Sequence, residues 1–338
     1  MVSVGVFICR AQPPHRAHMM TVRHALSKVD TLVVVMGSHE QARTVKNPWT
    51  TVERVGMIRS CLTDDEALRI RFVAVKDSFY SDNQWVAELQ REVGSLPEVM
   101  AAQTVTLFGH AKDASSYYLH LFPRWTFEET PLWEPLDAAT VRMRYFTYDR
   151  IAWSKMVEPT VVAFLDAFAA SPDFIELRDE YQYAAEYRES WRGAPFPPTF
   201  VTVDAVVVCS GHVLVTRRRS RPGKGLIALP GGFVSQKETL VAAALRELKE
   251  ETSIRLTREE LQTKITEQRV FDHPERSIRG RTITHAFCIN LGMVDFPKVK
   301  GDSDADKAWW MPLNDVTARW SEFFEDHAHI IKALAERF

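Results

Sequence analysis

Short apolar runs alternate with stretches of helical period along the chain, and the character of the alternation changes near residue 195. The first run, residues 2–9 (VSVGVFIC), leads into RAQPPH, whose two prolines force an extended turn before a helical pattern that begins near His18. A strand over 31–37, a helix over 51–62, a strand over 70–75, a helix over 84–93 and a strand over 104–109 follow. Strands alternating with helices predict an α/β fold with a doubly wound parallel sheet. Such sheets bind ligands beyond the carboxyl ends of their strands, where RAQPPH and GHAKD fall. Residues 153–191 read as helical with a break at 171–173, and RGAPFPPTF (192–200) carries four Gly or Pro in nine positions. Beyond it the pattern is α+β: strands over 201–210, 212–218 and 228–234, a helix over 239–251, then strands over 270–274, 284–291 and 308–313. One amphipathic helix over 321–337 ends the chain. The predicted division is 1–152, a helical extension and linker over 153–194, and 195–338.

Composition narrows the function classes. Forty-two Lys and Arg against 44 Asp and Glu give a formal charge of −2, so no bulk field favours nucleic acid or an anionic membrane. Fourteen Gly and 17 Pro are too few and too scattered for a disordered or collagen-like chain. Cys9, Cys61, Cys209 and Cys288 lie far apart without a CxxC pair, which suggests neither a thiolate zinc site nor a disulfide framework. With strand-sized apolar runs and no signal-peptide pattern, the expected location is the cytoplasm. A homo-oligomer is left open.

The helix over 239–251 is rich in Ala, Leu, Glu and Lys, with Leu240, Val241, Ala244, Leu245 and Leu248 as its apolar stripe. Glu247, Glu250 and Glu251 stand at i, i+3 and i+4, so they share one face. A charge run alone reads as a solvated face. Like charges at this spacing repel, however, and a bound divalent cation removes the penalty. Carboxylate oxygens suit Mg²⁺ or Mn²⁺, which keep several waters and take further ligands from substrate phosphates. Pro230, Gly231 and Gly232 let backbone approach such an ion and offer it a carbonyl. Glu238 lies two turns before Arg246, where it can brace the loop against the helix.

From Gly232 onward this segment resembles the Nudix box: Gly232, Glu238, Arg246, Glu247, Leu248, Glu250, Glu251 and Ile254 stand at its positions, with Ser253 where the family carries Gly. GKGLIALPGGFV upstream and FDHPERSIRGRTITHAF downstream are similar to Nudix hydrolases acting on ADP-ribose. The resemblance implies metal-dependent hydrolysis of ADP-ribose to AMP and ribose 5-phosphate, with metal held by Glu247, Glu251, Glu250 and Gly231. Asp272 and Glu275 are weaker candidates for the general base. Arg279 and Arg281 are either clamps for phosphate or ribose, or surface cations that serve solubility.

His15 and His18 sit where the first strand feeds the first helix, so both imidazoles and the helix N-terminus can face one anion. Without further nearby ligands they do not suggest zinc. CRAQPPHRAH, GSHEQARTVKNPWTTVERVGMI, DSFYSDNQWVAELQ and GHAKDASSYYLHLFPRW together resemble the nicotinamide mononucleotide adenylyltransferases that carry a C-terminal Nudix domain, in the same domain order. The resemblance implies a Rossmann-like nucleotidyltransferase domain in which nicotinamide mononucleotide attacks the α-phosphate of ATP, giving NAD and pyrophosphate with Mg²⁺ bridging phosphate oxygens. His15 and His18 would hydrogen-bond ATP phosphates, while Arg10, Lys46 and Arg142 supply cations. Gln12 joins the binding set, Gly109 and His110 lie beside the adenosine, and Tyr80 and Trp85 either border the nicotinamide or pack in the core.

This sequence departs from that family at Cys9 and Ala17, where Gly is expected, and at Asp137 and Ala139, where hydroxyls are expected. A second reading therefore keeps the hydrolase and makes the first half a nucleotide-binding module without turnover. A third, a regulator that senses ADP-ribose without cleaving it, lacks the basic helix-turn-helix it would need after Leu313.

Overall fold

The computed structural model describes residues 3–111 and 114–335. By its internal contacts the chain forms two compact units, residues 1–178 and 179–338, dividing within the helix Pro172–Ser190.

The first unit carries strands β1 (Ser3–Cys9), β2 (Thr31–Met36), β3 (Ile70–Ala74), β4 (Thr104–Gly109) and β5 (Thr126–Glu129) in the order β3-β2-β1-β4-β5, all parallel. The order reverses between β1 and β4, which opens a crevice at their carboxyl ends. Period two decides the layers. Phe7 and Cys9 of β1, with Leu32, Val34 and Met36 of β2, pack with Met19, Val22 and Ile58 from the helices Arg16–Leu26 and Thr51–Arg59. Val4, Val6, Val33 and Val35 face the other way, against Leu89 and Val93 of the helix Asp82–Gly94. Because both faces are covered, β2 is buried along its whole length and reads as one unbroken apolar run.

Several elements differ from the sequence expectation: the strand expected over 228–234 is two short ones, Ile227–Ala228 and Gly231–Phe233, and the one expected over 270–274 is Ile265–Phe271. The first helix begins at Arg16, with His15 as its N-cap residue. The strand β5 was invisible, since TFEE is short and its apolar content is a single Phe. The final helix is His327–Ala335, preceded by a 3₁₀ turn at Trp320–Glu322, and residues 336–337 of the expected helix lie outside the described residues.

The second unit carries a mixed sheet of β6 (Phe200–Cys209), β7 (His212–Arg218), β8 (Ile227–Ala228), β9 (Gly231–Phe233), β10 (Ile265–Phe271), β11 (Thr282–Asn290) and β12 (Ala305–Pro312). Its main path is β10-β11-β6-β7-β12, with β8 on β7 and β9 on β6; β6 and β11 run parallel and the other pairs antiparallel. The helix Leu240–Thr252 packs on β6 and β9, burying Ala244, Leu245 and Leu248, while the helix His327–Ala335 packs on β6 and β11. Thr239 caps the former by accepting the Ala242 N–H at 3.3 Å.

Ser253 closes that helix in the left-handed region, at φ 46°, a conformation that favours glycine. Ser253→Gly is therefore expected to stabilise the second unit by about 1 kcal/mol, read as a higher urea midpoint. An unchanged or lower midpoint would show that the serine makes good its strain. Among the described residues no helix is long and apolar enough to cross a membrane.

Candidate active sites

In the first unit, the turn after β1 carries Arg10, Gln12 and His15, and His18 follows one helical turn later. The His15 backbone N–H donates to His18 Nδ1 at 3.2 Å, and the two imidazole rings lie 3.7 Å apart. Accepting at Nδ1 requires a neutral ring with its proton on Nε2. Burial, followed by the neighbouring His15, holds the His18 pKa well below the usual histidine range, so that neutral donor persists at physiological pH.

Gln12 was expected among substrate contacts, but its amide ties two loops: Nε2 donates to the Trp49 carbonyl at 2.9 Å and Oε1 accepts the Trp49 N–H at 3.1 Å. That bond brings the loop bearing half-buried Lys46 to the turn. Arg142 Nη1 donates to the Gln12 carbonyl at 2.7 Å, so a cation from the helix Ala138–Phe146 reaches the same turn. Asp137 is that helix's N-cap; its carboxylate accepts the N–H and hydroxyl of Thr140, both at 2.8 Å. The acid thus has a structural task, and a hydroxyl survives at Thr140. Arg10 is half-exposed, 3.6 Å from Asp77. Burial pushes the Cys9 thiol up to about 12, which leaves it inert.

Gly109 ends β4 and His110 follows it across the crevice, and part of the GHAKD motif, residues 112–113, lies outside the described residues. His110 Nδ1 lies 3.0 Å from the Thr130 carbonyl, which makes Nδ1 the donor and, in the neutral ring, Nε2 the acceptor. A methyl on Gly109 would meet Leu119 at 2.7 Å, so glycine serves packing there. Trp85 packs edge-on against Tyr118 and Phe122 at 5.9 and 6.1 Å, in the core. Tyr80 lies on the loop before the helix Asp82–Gly94 and is half-buried.

Sequence reading missed Arg54. It is fully buried, and its guanidinium donates to the carbonyls of Arg10 (2.6 Å), Gly37 (2.8 Å), Ser38 (3.1 Å) and Thr50 (3.3 Å), and to the Thr51 hydroxyl (2.9 Å). One side chain therefore stitches the turns after β1 and β2 to a helix start. Burial lowers its pKa to about 10, still charged at neutral pH. Arg54→Met leaves these buried carbonyls without donors and is expected to cost at least about 3 kcal/mol in denaturant unfolding. A loss under about 1 kcal/mol would contradict that role. An arginine within a short helix reads as solvent-facing, so only its hydrogen bonds reveal it.

In the second unit, Glu247 and Glu251 face the glycine loop. A methyl on Gly232 would lie 2.5 Å from a Glu247 carboxylate oxygen, and one on Gly231 would lie 2.2 Å from the Val203 carbonyl. Both positions need glycine for close approach. Gly231 N–H donates to Glu251 Oε2 at 3.3 Å. Glu251 is 8% exposed, and burial, with Glu247 adding repulsion, raises its pKa to about 8. Burial also raises Glu247. Arg246 grips Glu238 at 2.7 and 3.0 Å, Glu247 at 2.8 Å and Glu250 at 3.1 Å. Helical spacing suggests three convergent carboxylates, but Glu250 turns to Arg246 and stays 49% exposed. Accordingly, no cluster of three His, Cys, Asp or Glu side chains ready to hold a metal occurs among the described residues. One buried and one half-buried carboxylate beside a glycine backbone still fit a divalent cation, whose charge offsets the burial penalty.

On the loop between β10 and β11, Arg281 pairs with Asp272 at 3.5 Å, which engages that candidate base. Arg279 lies over the Phe233 ring at 5.0 Å, beside the glycine loop. Glu275 donates its N–H to His273 Nδ1 within its own turn, at 3.3 Å.

A parallel sheet with a histidine turn at its switch point and a carboxylate helix beside a glycine loop define a nucleotidyltransferase joined to a Nudix hydrolase. Residues 6–120 match the cytidylyltransferase-like family and residues 198–334 the NUDIX domain. The crystal structure of a bifunctional NMN adenylyltransferase/ADP ribose pyrophosphatase from Francisella tularensis, complexed with AMP and a Mn ion, is 32% identical and covers 100% of this chain and 99% of its own, with a TM-score of 0.93. The nicotinamide/nicotinic acid mononucleotide adenylyltransferase of Acinetobacter baylyi is 36% identical over 178 residues, 52% of this chain and 92% of that protein. The ADP-ribose pyrophosphatase of Methanocaldococcus jannaschii is 33% identical over 132 residues, 39% of this chain and 70% of that protein. The chain belongs to the bifunctional NMN adenylyltransferase/ADP-ribose pyrophosphatase family.

Proposed function

We propose that the first unit transfers the adenylyl group of ATP to nicotinamide mononucleotide, giving NAD and pyrophosphate, and that the second hydrolyses ADP-ribose to AMP and ribose 5-phosphate with Mg²⁺. The observation that carries the synthetic half is the neutral His18, fixed as an Nε2–H donor by the His15 backbone. It hydrogen-bonds phosphate oxygens of ATP as charge builds on the departing pyrophosphate, and Arg10, Lys46 and Arg142 neutralise that charge. His15 shares the anion, and His110 Nε2 is suited to accept from the adenine amino group. The retained Thr140 and the capping task of Asp137 favour turnover over a merely binding module.

In the hydrolytic half, the glycine loop brings backbone against Glu247 and Glu251, and Arg246 holds Glu238 and Glu247 in place. Glu247 and Glu251, with the Gly231 carbonyl, and Glu250 once its carboxylate leaves Arg246, would hold the cation, which would draw charge off the diphosphate and make a water easier to deprotonate. Arg279 and Arg281 then orient the diphosphate. Separate incubations of the full chain and Mg²⁺, with ADP-ribose and with ATP plus nicotinamide mononucleotide, test both halves by product chromatography. The expected products are AMP with ribose 5-phosphate, and NAD with pyrophosphate. Hydrolysis without synthesis would select the reading in which the first unit only binds nucleotide.

A further inference from the structure

A buried polar strut lies behind the second site, and the sequence pattern gives it no role. Arg276, on the loop between β10 and β11, forms a two-pronged ion pair with Asp326, Nε to Oδ2 at 3.0 Å and Nη2 to Oδ1 at 2.7 Å. The two side chains are 2% and 0% exposed. That loop is the one carrying Arg279 and Arg281. The next residue along the chain, His327, is also buried, and its Nδ1 accepts the Leu229 N–H at 2.8 Å. Leu229 leads directly into Pro230, Gly231 and Gly232. Accepting at Nδ1 leaves the His327 proton on Nε2, 3.9 Å from Asp204 Oδ1. Asp204 is the register partner of Gly231, and its other oxygen accepts the Thr284 hydroxyl at 2.5 Å.

Two neighbouring residues thus hold two separate walls of one site. An ion pair taken out of water is poor support for stability alone, because apolar side chains of similar volume often serve as well. Its two parallel bonds do fix direction, which an apolar pair does not. We propose that Asp326 and His327 are positioning residues of the pyrophosphatase centre: Asp326, through Arg276, aims the loop of substrate arginines, and His327, through Leu229, sets the glycine loop against Glu247 and Glu251. The inference rests on the hydrolase reading above.

The two arms separate kinetically. Loosening the arginine loop weakens the hold on substrate, whereas shifting the glycine loop disturbs the reacting centre. The test uses the full chain, Mg²⁺ and ADP-ribose, with melting temperature and near-ultraviolet circular dichroism recorded for every variant. The paired replacement Arg276→Met with Asp326→Leu leaves no unpaired buried charge. It is expected to fold and to raise KM by about tenfold, with kcat changed less than about twofold. His327→Leu removes the acceptor from Leu229 and is expected to lower kcat by about tenfold at nearly constant KM. His327→Gln, whose side-chain carbonyl accepts the same N–H, is expected to recover most of that loss. Folded variants with wild-type constants would overturn the proposal. So would kcat losses in all variants that simply follow melting temperature, with no KM change in the paired replacement and no recovery in His327→Gln. Wild-type protein that leaves ADP-ribose intact would overturn the hydrolase reading, and this inference with it.

Discussion

Glu251→Gln is expected to lower ADP-ribose hydrolysis by roughly 10³-fold or more while NAD synthesis proceeds as in the wild type. The substitution keeps the volume of the side chain and removes its charge, so packing against Gly231 survives while the cation loses an anionic ligand. The same change has an opposite effect on stability. In the cation-free protein, burial raises the Glu251 pKa from about 4.5 to about 8, so the folded state holds its proton more tightly than the unfolded state does. Stability carried by that proton is present in full below the unfolded value and is lost as pH rises through the folded one. Between pH 4.5 and 8 the cation-free wild type therefore loses stability at this residue, and Glu251→Gln does not. Melting curves at pH 7.5 without metal should show the variant melting higher, and Mg²⁺ should raise the wild type alone. A variant that melts lower than the wild type under those conditions would contradict the burial argument.

His18→Ala is expected to lower kcat for NAD synthesis by about 10²–10³-fold, leaving ADP-ribose hydrolysis untouched. The size follows from the loss of one preorganised donor aimed at developing phosphate charge. His18→Gln should retain part of the rate, because an amide N–H can donate from a similar reach. Since burial and His15 depress the His18 pKa, its ring should stay neutral as pH falls through 6.5. Nitrogen NMR of the imidazoles would then show no His18 titration between about pH 8 and 6. Unchanged synthesis in His18→Ala would refute the role given to that ring.

Much of the chemistry was legible because local spacing carried it. The helix over Leu240–Thr252 announces itself through composition, stripe and a Thr cap, and its glutamates fall at fixed positions from Gly232. The parallel sheet was legible for the same reason, since β2 and β4 are apolar runs of strand length bounded by turns. Side-chain directions and long-range partners were not legible in the same way. Glu250 shares a helix face with Glu247 and Glu251, yet Arg246 competes for it. Gln12 sits in the phosphate turn, yet its amide is satisfied by Trp49, 37 residues away in sequence. Arg54 and the Arg276–Asp326 pair look like ordinary surface charges in one dimension, because burial is a property of the fold and not of the neighbouring residues. Asp137 shows the converse: in sequence it is a departure where a hydroxyl is expected, and as an N-cap it satisfies its own helix.

The proposed hydrolysis requires a divalent cation between Glu247 and Glu251 against the glycine loop. Electron paramagnetic resonance of free Mn²⁺, titrated with the nucleotide-free full chain, measures that seat directly. The wild type should deplete the free-ion signal, and a protein carrying both Glu247→Gln and Glu251→Gln should leave it near its protein-free height. Equal depletion by the two proteins, or none by either, would contradict the claim.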